Sequence, residues 1–109
     1  MVEQEQLDKW GDLPSMFDEK DLLDKWTIVA GEHDGGCYDD SCLYLAVNKE
    51  TGELCEVESG HCSCYGYEGC WTPVPTNKEV LELSLKDCWR AWQRPVYEAG
   101  LKYLEEHPQ

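Results

Sequence analysis

The alternation of apolar and polar residues predicts a β-hairpin in the middle of the chain. Over residues 42–48, leucine and valine recur at every second position, which is the period of a strand. Residues 49–52 have the composition of a turn, and the alternation resumes over residues 54–58. We therefore expect two antiparallel strands that are joined by this short turn.

The second strand of the hairpin has one face that carries charge. Strict alternation places Leu54 together with Glu56 and Glu58, and it places Cys55 with Val57 on the other side. Because carboxylates avoid the interior of a protein, we expect the face of Cys55 and Val57 to be the buried one. Cys55 is then a core residue.

The chain before the hairpin shows shorter local patterns. Residues 26–30 are rich in β-formers and predict a strand that stops at Gly31. A polar, glycine-rich loop is expected over 31–41. Residues 1–25 form an N-terminal helical segment in two pieces that meet at Pro14, since proline interrupts a helix.

The chain after the hairpin ends in helices. The pattern from Thr76 to Glu79 is a capping box and predicts a helix start there. We expect helices over 78–106 to pack on one face of a small antiparallel sheet, with the N-terminal helices alongside, which gives an α+β fold and one domain over 26–109. The predicted core residues are Trp26, Ile28, Leu43, Leu45, Val47, Leu54, Val57, Trp71, Leu81, Leu85, Trp89 and Leu104.

The charge of the chain narrows the class of partner. Its net charge is −14 over 109 residues, and residues 1–58 carry −12 of this from sixteen acidic and four basic side chains. Such a field repels nucleic acid and anionic lipid and attracts basic protein surfaces. With no long apolar run and no positively charged, apolar leader at the N-terminus, we expect a cytoplasmic protein.

The segment from Gly60 to Trp71 concentrates ligand-type side chains. Imidazole and thiolate are the usual zinc ligands, so a zinc ion is one hypothesis, with candidate ligands His61, Cys62, Cys64 and Cys70. A partial second set consists of His33, Cys37 and Cys42. A second hypothesis is that these thiols are small buried apolar groups. A third hypothesis is that Cys62 or Cys64 is a nucleophile with a histidine base.

The run His61-Cys62-Ser63-Cys64-Tyr65-Gly66, followed by Glu68-Gly69, Trp71 and Pro73, resembles a motif of small uncharacterised proteins from bacteriophages and prophages. In that family the motif follows a β-hairpin, and no activity is assigned to it. The resemblance implies a host-cell cytoplasm as the setting. Of the four candidate zinc ligands, the family shares His61, Cys62 and Cys64. A fourth ligand would then come from water, Glu68 or a second copy in a homodimer.

From these observations we predict a non-enzymatic module that binds a basic host protein and neither nucleic acid nor membrane. In a phage setting it would inhibit a host or defence protein that handles nucleic acid, by imitating the charge of phosphates. A zinc-stabilised adaptor and a cysteine enzyme are the alternatives. The predicted partner-binding residues are Asp34, Asp39, Asp40, Glu50, Glu53, Glu56 and Glu58.

Overall fold

A computed structural model describes residues 2–35, 39–62 and 69–107, with the backbone alone at 39, 40, 61 and 62. Within these residues the chain has an α+β fold. Its elements are α1 (Gln4–Trp10), α2 (Leu13–Met16), α3 (Leu22–Lys25), β1 (Trp26–Gly35), β2 (Asp39–Asn48), β3 (Leu54–Cys62), β4 (Val74–Pro75), α4 (Lys78–Lys86), a 3₁₀ turn (Ala91–Gln93) and α5 (Arg94–Glu106).

The predicted hairpin is confirmed and forms the centre of an antiparallel sheet. Among the described residues the strand order is β1-β2-β3-β4, so each strand lies beside its neighbour in sequence. Leu45 lies opposite Glu56, and the backbone N–H of Asn48 donates to the carbonyl of Glu53 at 2.9 Å across the turn. Gly52 in this turn has φ +75°, a conformation that glycine adopts without steric strain.

Strand β1 is longer than the sequence predicted. The prediction that it stops at Gly31 was wrong, because the strand continues to Gly35 and carries His33 and Asp34 on its paired section. A Cβ atom at Gly31 would lie 2.2 Å from ring atoms of Tyr44. The glycine therefore does not end the strand; it leaves room for the tyrosine ring of β2 to lie across β1.

The sheet is covered on both faces. Strand β2 is central, and its two alternating sets of side chains, from Cys42 to Val47, are all buried. On one face, which we call the N-terminal core, Phe17, Leu22 and other residues of the N-terminal helices pack on Tyr44. The N-terminal helices thus lie opposite the C-terminal helices and not alongside them, because two apolar faces of one strand both require cover.

The opposite face, which we call the C-terminal core, is formed with α4 and α5. Leu45 and Leu54 of the sheet pack there with Leu81 and Val96. Leu54 is fully buried, as expected for a predicted core residue, so the inference that only the face of Cys55 and Val57 is buried was wrong. Cys55 and Val57 are buried as expected, so β3 is covered on both faces near its start.

The boundaries of α4 differ from the sequence prediction. The N-cap is Asn77, whose side-chain oxygen accepts from the N–H of Val80 at 3.0 Å, and not Thr76. Because the helix ends at Lys86, Trp89 lies beyond it and is 82 % exposed, so its assignment to the core was wrong. Among the described residues, no helix is both long enough and apolar enough to cross a membrane.

Candidate functional site

The acidic residues predicted to bind a partner do not form a single patch. Asp34, Glu50, Glu53 and Glu58 are exposed, whereas Glu56 is half-buried. Asp39 and Asp40 belong to β2 by their backbone, and their side chains lie outside the described residues.

Distance along the sheet separates these carboxylates. Asp34 lies opposite Ser41, near one end of β2, whereas Glu50 and Glu53 follow Asn48 at the other end. The seven residue-to-residue steps from position 41 to position 48 span about 23 Å at about 3.3 Å per step. The two glutamates on β3 are the members of the predicted set that the structure brings together on one face.

Glu56 and Glu58 lie on the face of β3 that turns toward α5. The amide Nε2 of Gln93, a buried residue of the 3₁₀ turn, donates to Oε2 of Glu58 at 3.3 Å. Burial raises the pKa of the Glu56 carboxyl, and the neighbouring charge of Glu58 raises it further. Glu56 is therefore a carboxylate that is partly removed from water and lies beside a second one.

The same pair of carboxylates acts on Tyr97 of α5. The pKa of its phenol is raised from 10.0 to about 12, most by burial and further by the charges of Glu56 and Glu58. A hydrogen bond with Ser84 acts in the opposite direction. Tyr97 is thus a neutral, buried group beneath the acidic pair.

An open pocket of ≈ 340 Å³ lies beside this pair, between β3, β4 and the first turn of α4. Its lining residues are Glu56, Glu58, Thr72, Val74, Pro75, Thr76 and Val80. Val74 is 62 % exposed and Val80 is 41 % exposed, so both present apolar surface to solvent at the pocket. The hydroxyl Oγ1 of Thr76 is buried and has no hydrogen-bond partner among the described residues.

The candidate zinc ligands fall mostly outside the described side chains. His61 and Cys62 end β3 by their backbone, Cys64 lies in the segment 63–68 that is not described, and Cys70 packs at the margin of the N-terminal core. Among the described residues, no three His, Cys, Asp or Glu side chains form a group that could hold a metal ion. The zinc site therefore stays a prediction.

The second partial ligand set is also divided. Nε2 of His33 lies 2.5 Å from the hydroxyl of Tyr44, with the two rings edge to face, and Cys42 is buried in the N-terminal core. Cys37 lies outside the described residues. Of the other cysteines, Cys55 has a thiol whose pKa is raised by burial and then by Glu53, which lowers its reactivity as a nucleophile.

Two of the tryptophans have opposite environments. Trp10 packs edge to face on Tyr44 with ring centroids 5.9 Å apart. Trp89 projects into solvent, and the guanidinium of Arg90 lies 4.7 Å from its ring centroid. Aromatic spacing alone does not separate these roles, because both tryptophans occur in short helical or irregular segments.

The apolar side of the pocket is not evident in the amino-acid sequence. Val74 and Pro75 reach Glu56 and Cys55 only because β4 pairs with β3. The local sequence Pro73-Val74-Pro75 predicts an extended segment, but it does not indicate which strand lies beside that segment. No family model matches the chain, and neither does any curated protein sequence or solved structure.

Proposed function

We propose that this protein is a non-enzymatic module that binds a basic surface of another protein through its exposed carboxylates. The observation that carries this proposal is the exposure of the acidic side chains. Every aspartate and glutamate whose side chain is described is exposed, with the single exception of Glu56. A chain with a net charge of −14 thus places nearly all of its described acidic groups where a partner can reach them.

The N-terminal helices add to this acidic surface. Their apolar residues point into the N-terminal core, which leaves their polar residues at the surface. The exposed acidic residues of this layer are Glu3, Glu5, Asp8, Asp12, Asp18, Glu19, Asp21 and Asp24. Its basic residues are Lys9, Lys20 and Lys25. A basic partner approaching this side would meet a predominantly negative potential.

The partner that this charge suits best is a protein whose basic surface otherwise holds nucleic acid. Such surfaces carry closely spaced lysine and arginine residues that neutralise phosphates. Exposed carboxylates spread over a rigid sheet and its helices would compete for the same cations. The resemblance of the His61–Pro73 motif to phage proteins supports a bacterial host protein as the target, and inhibition by charge mimicry as the outcome.

The proposal is tested by capture and competition. The immobilised protein is incubated with a bacterial lysate at low ionic strength, and the retained proteins are identified and then purified for binding measurements. We expect basic nucleic-acid-binding proteins that are released by duplex DNA. We also expect the association constant to fall by about tenfold or more as salt rises from about 0.05 M to about 0.2 M, because ion pairs at a surface are screened.

A charge-matched pair of variants gives the control. Asp34→Asn, Glu50→Gln and Glu53→Gln together remove three charges from predicted contact positions, while Glu98→Gln, Glu105→Gln and Glu106→Gln remove three from α5. The first triple variant should lose more affinity than the second. Complexes that resist both salt and DNA would contradict the proposal, as would equal binding by all three proteins.

A further inference from the structure

The pocket beside the acidic pair offers a specific contact for a partner. We infer that it holds the side chain of one lysine or arginine residue of the partner protein, with the aliphatic part on Val74 and Val80 and the cationic group at Glu56 and Glu58. This inference rests on the proposed function and names the point of contact. Three features of the pocket support it: its charge, its walls and a buried hydroxyl.

The charge of the pocket is uncompensated. None of its lining residues is basic, and neither glutamate forms an ion pair with a described residue. The interaction that Glu58 makes is with the neutral amide of Gln93. A carboxylate that is half-buried and lies beside a like charge gains when a cation arrives, since the cation offsets both the lost hydration and the repulsion.

The walls of the pocket suit a long aliphatic chain. Val74, Pro75 and Val80 present apolar surface next to the carboxylates. Lysine and arginine side chains carry three or four methylene groups before their charge, and they pack these groups on apolar surface while the charged end reaches a polar partner. A metal ion or a free anion would make no use of these valines.

The apolar surface continues along α4. Leu83 follows Val80 by three residues, so the two lie on the same side of the helix, and Leu83 is 61 % exposed. Apart from Leu7, the large apolar residues that are strongly exposed in the described chain lie in the segment 74–89. The partner segment is therefore expected to carry an apolar residue next to its cation, which is the usual composition at the centre of an interface.

Thr76 supplies a further acceptor at this site. The residue is 8 % exposed, it lines the pocket, and its hydroxyl oxygen has no hydrogen-bond partner among the described residues. Buried hydroxyl groups in folded proteins are almost always paired. An ammonium or guanidinium group has several N–H donors, so it can donate to both carboxylates and, once the Thr76 side chain turns toward the pocket, to this oxygen.

The inference is tested on the full-length protein with capped peptides that contain Leu-Arg-Leu, Leu-Lys-Leu or Leu-citrulline-Leu at their centre. Citrulline keeps the shape of arginine and removes its charge. Binding is followed by backbone amide chemical shifts. We expect the arginine and lysine peptides to shift resonances of residues 56–58 and 74–80, and the citrulline peptide to bind at least about tenfold more weakly.

Variants localise the contact. Glu56→Gln with Glu58→Gln preserves side-chain size and should weaken binding of the arginine peptide at least about tenfold. Val74→Lys places a cation at the rim of the pocket and should block the peptide in a protein that remains folded, because Val74 is exposed.

The outcomes separate this inference from the proposed function. If the basic partner binds and Glu56→Gln with Glu58→Gln weakens it no more than the triple variant of α5 does, the negative field acts as a whole and the pocket inference is overturned. Shifts confined to the N-terminal helices would overturn it as well. If the wild-type protein retains no basic partner at low salt, the proposed function itself fails.

Discussion

Gly100 of α5 sets how closely the helix approaches the sheet. A Cβ atom at this position would lie 2.4 Å from Cδ1 of Leu45 and 3.0 Å from Cδ1 of Leu81. Both leucines are fully buried in the C-terminal core, so neither has free space to move into. The glycine is therefore required by packing, although glycine weakens a helix in itself.

We predict that Gly100→Ala destabilises the protein by about 1–3 kcal/mol, because overpacking in a filled core exceeds the gain in helix propensity. Urea denaturation at equilibrium measures the change. The double variant Gly100→Ala with Leu45→Val shortens the side chain that carries the clashing methyl group, and its loss should be smaller than the sum of the two single losses. An alanine that stabilises the protein would show that α5 does not contact Leu45 this closely.

The phenol of Tyr97 links stability to alkaline pH. Its pKa is raised from 10.0 to about 12 in the folded protein, first by burial and then by the nearby carboxylates. A raised pKa means that the folded state holds the proton more tightly, so the contribution is complete below pH 10 and is lost as pH rises toward 12. Tyr97→Phe should therefore lose less stability than the wild type between these pH values, as measured by denaturation at several pH values. Parallel curves for the two proteins would contradict this.

At the level of elements, the N-terminal helices form because the sheet holds them. Helices of four to seven residues are not stable alone, and α1, α2 and α3 are of this length. The amide of Gln6 makes two hydrogen bonds with the backbone of Ile28, at 2.8 and 3.1 Å, and so covers part of the outer edge of β1. Nζ of Lys49 donates to the carbonyl of Leu23 at 2.7 Å and ties α3 to the hairpin.

We predict that Phe17→Ala, in the segment just after α2, lowers the free energy of unfolding by about 3–5 kcal/mol. Phe17 is fully buried, and its ring centroid lies 5.1 Å from that of Trp71 and 5.9 Å from that of Tyr44. Thermal unfolding followed by tryptophan fluorescence measures the effect. Leu7→Ala is the control, since Leu7 is 44 % exposed and should change little. Similar small effects for both would mean that the N-terminal helices are not part of the cooperative core.

For the whole molecule, charge and packing are separated by layer. The sheet lies between two apolar cores, and the described acidic side chains lie outside them, with Glu56 at the boundary. A net charge of −14 is compatible with folding because water solvates most of these groups. The boundary position of Glu56 is what distinguishes it from the other carboxylates and makes the adjacent pocket the strongest candidate for a specific contact.

Much of the fold was predictable because it depends on neighbours in sequence. The hairpin of β2 and β3 follows from alternation on either side of a turn, and the C-terminal helices follow from an apolar stripe after an extended segment. Local patterns were less reliable at boundaries. The local sequence predicted a strand end at Gly31, because it does not show that the ring of Tyr44 lies there. It predicted a core position for Trp89, because it does not show that α4 ends before this residue.

The α+β class, the hairpin and the strong negative charge follow from the amino-acid sequence alone, since each depends on composition or on short-range periodicity. The tertiary structure alone decided which apolar face each helical layer covers, and it alone brought Val74, Thr76 and Val80 beside Glu56 and Glu58. The reason is physical: burial and long-range pairing depend on where distant segments meet, and alternation along one strand states only which residues share a face.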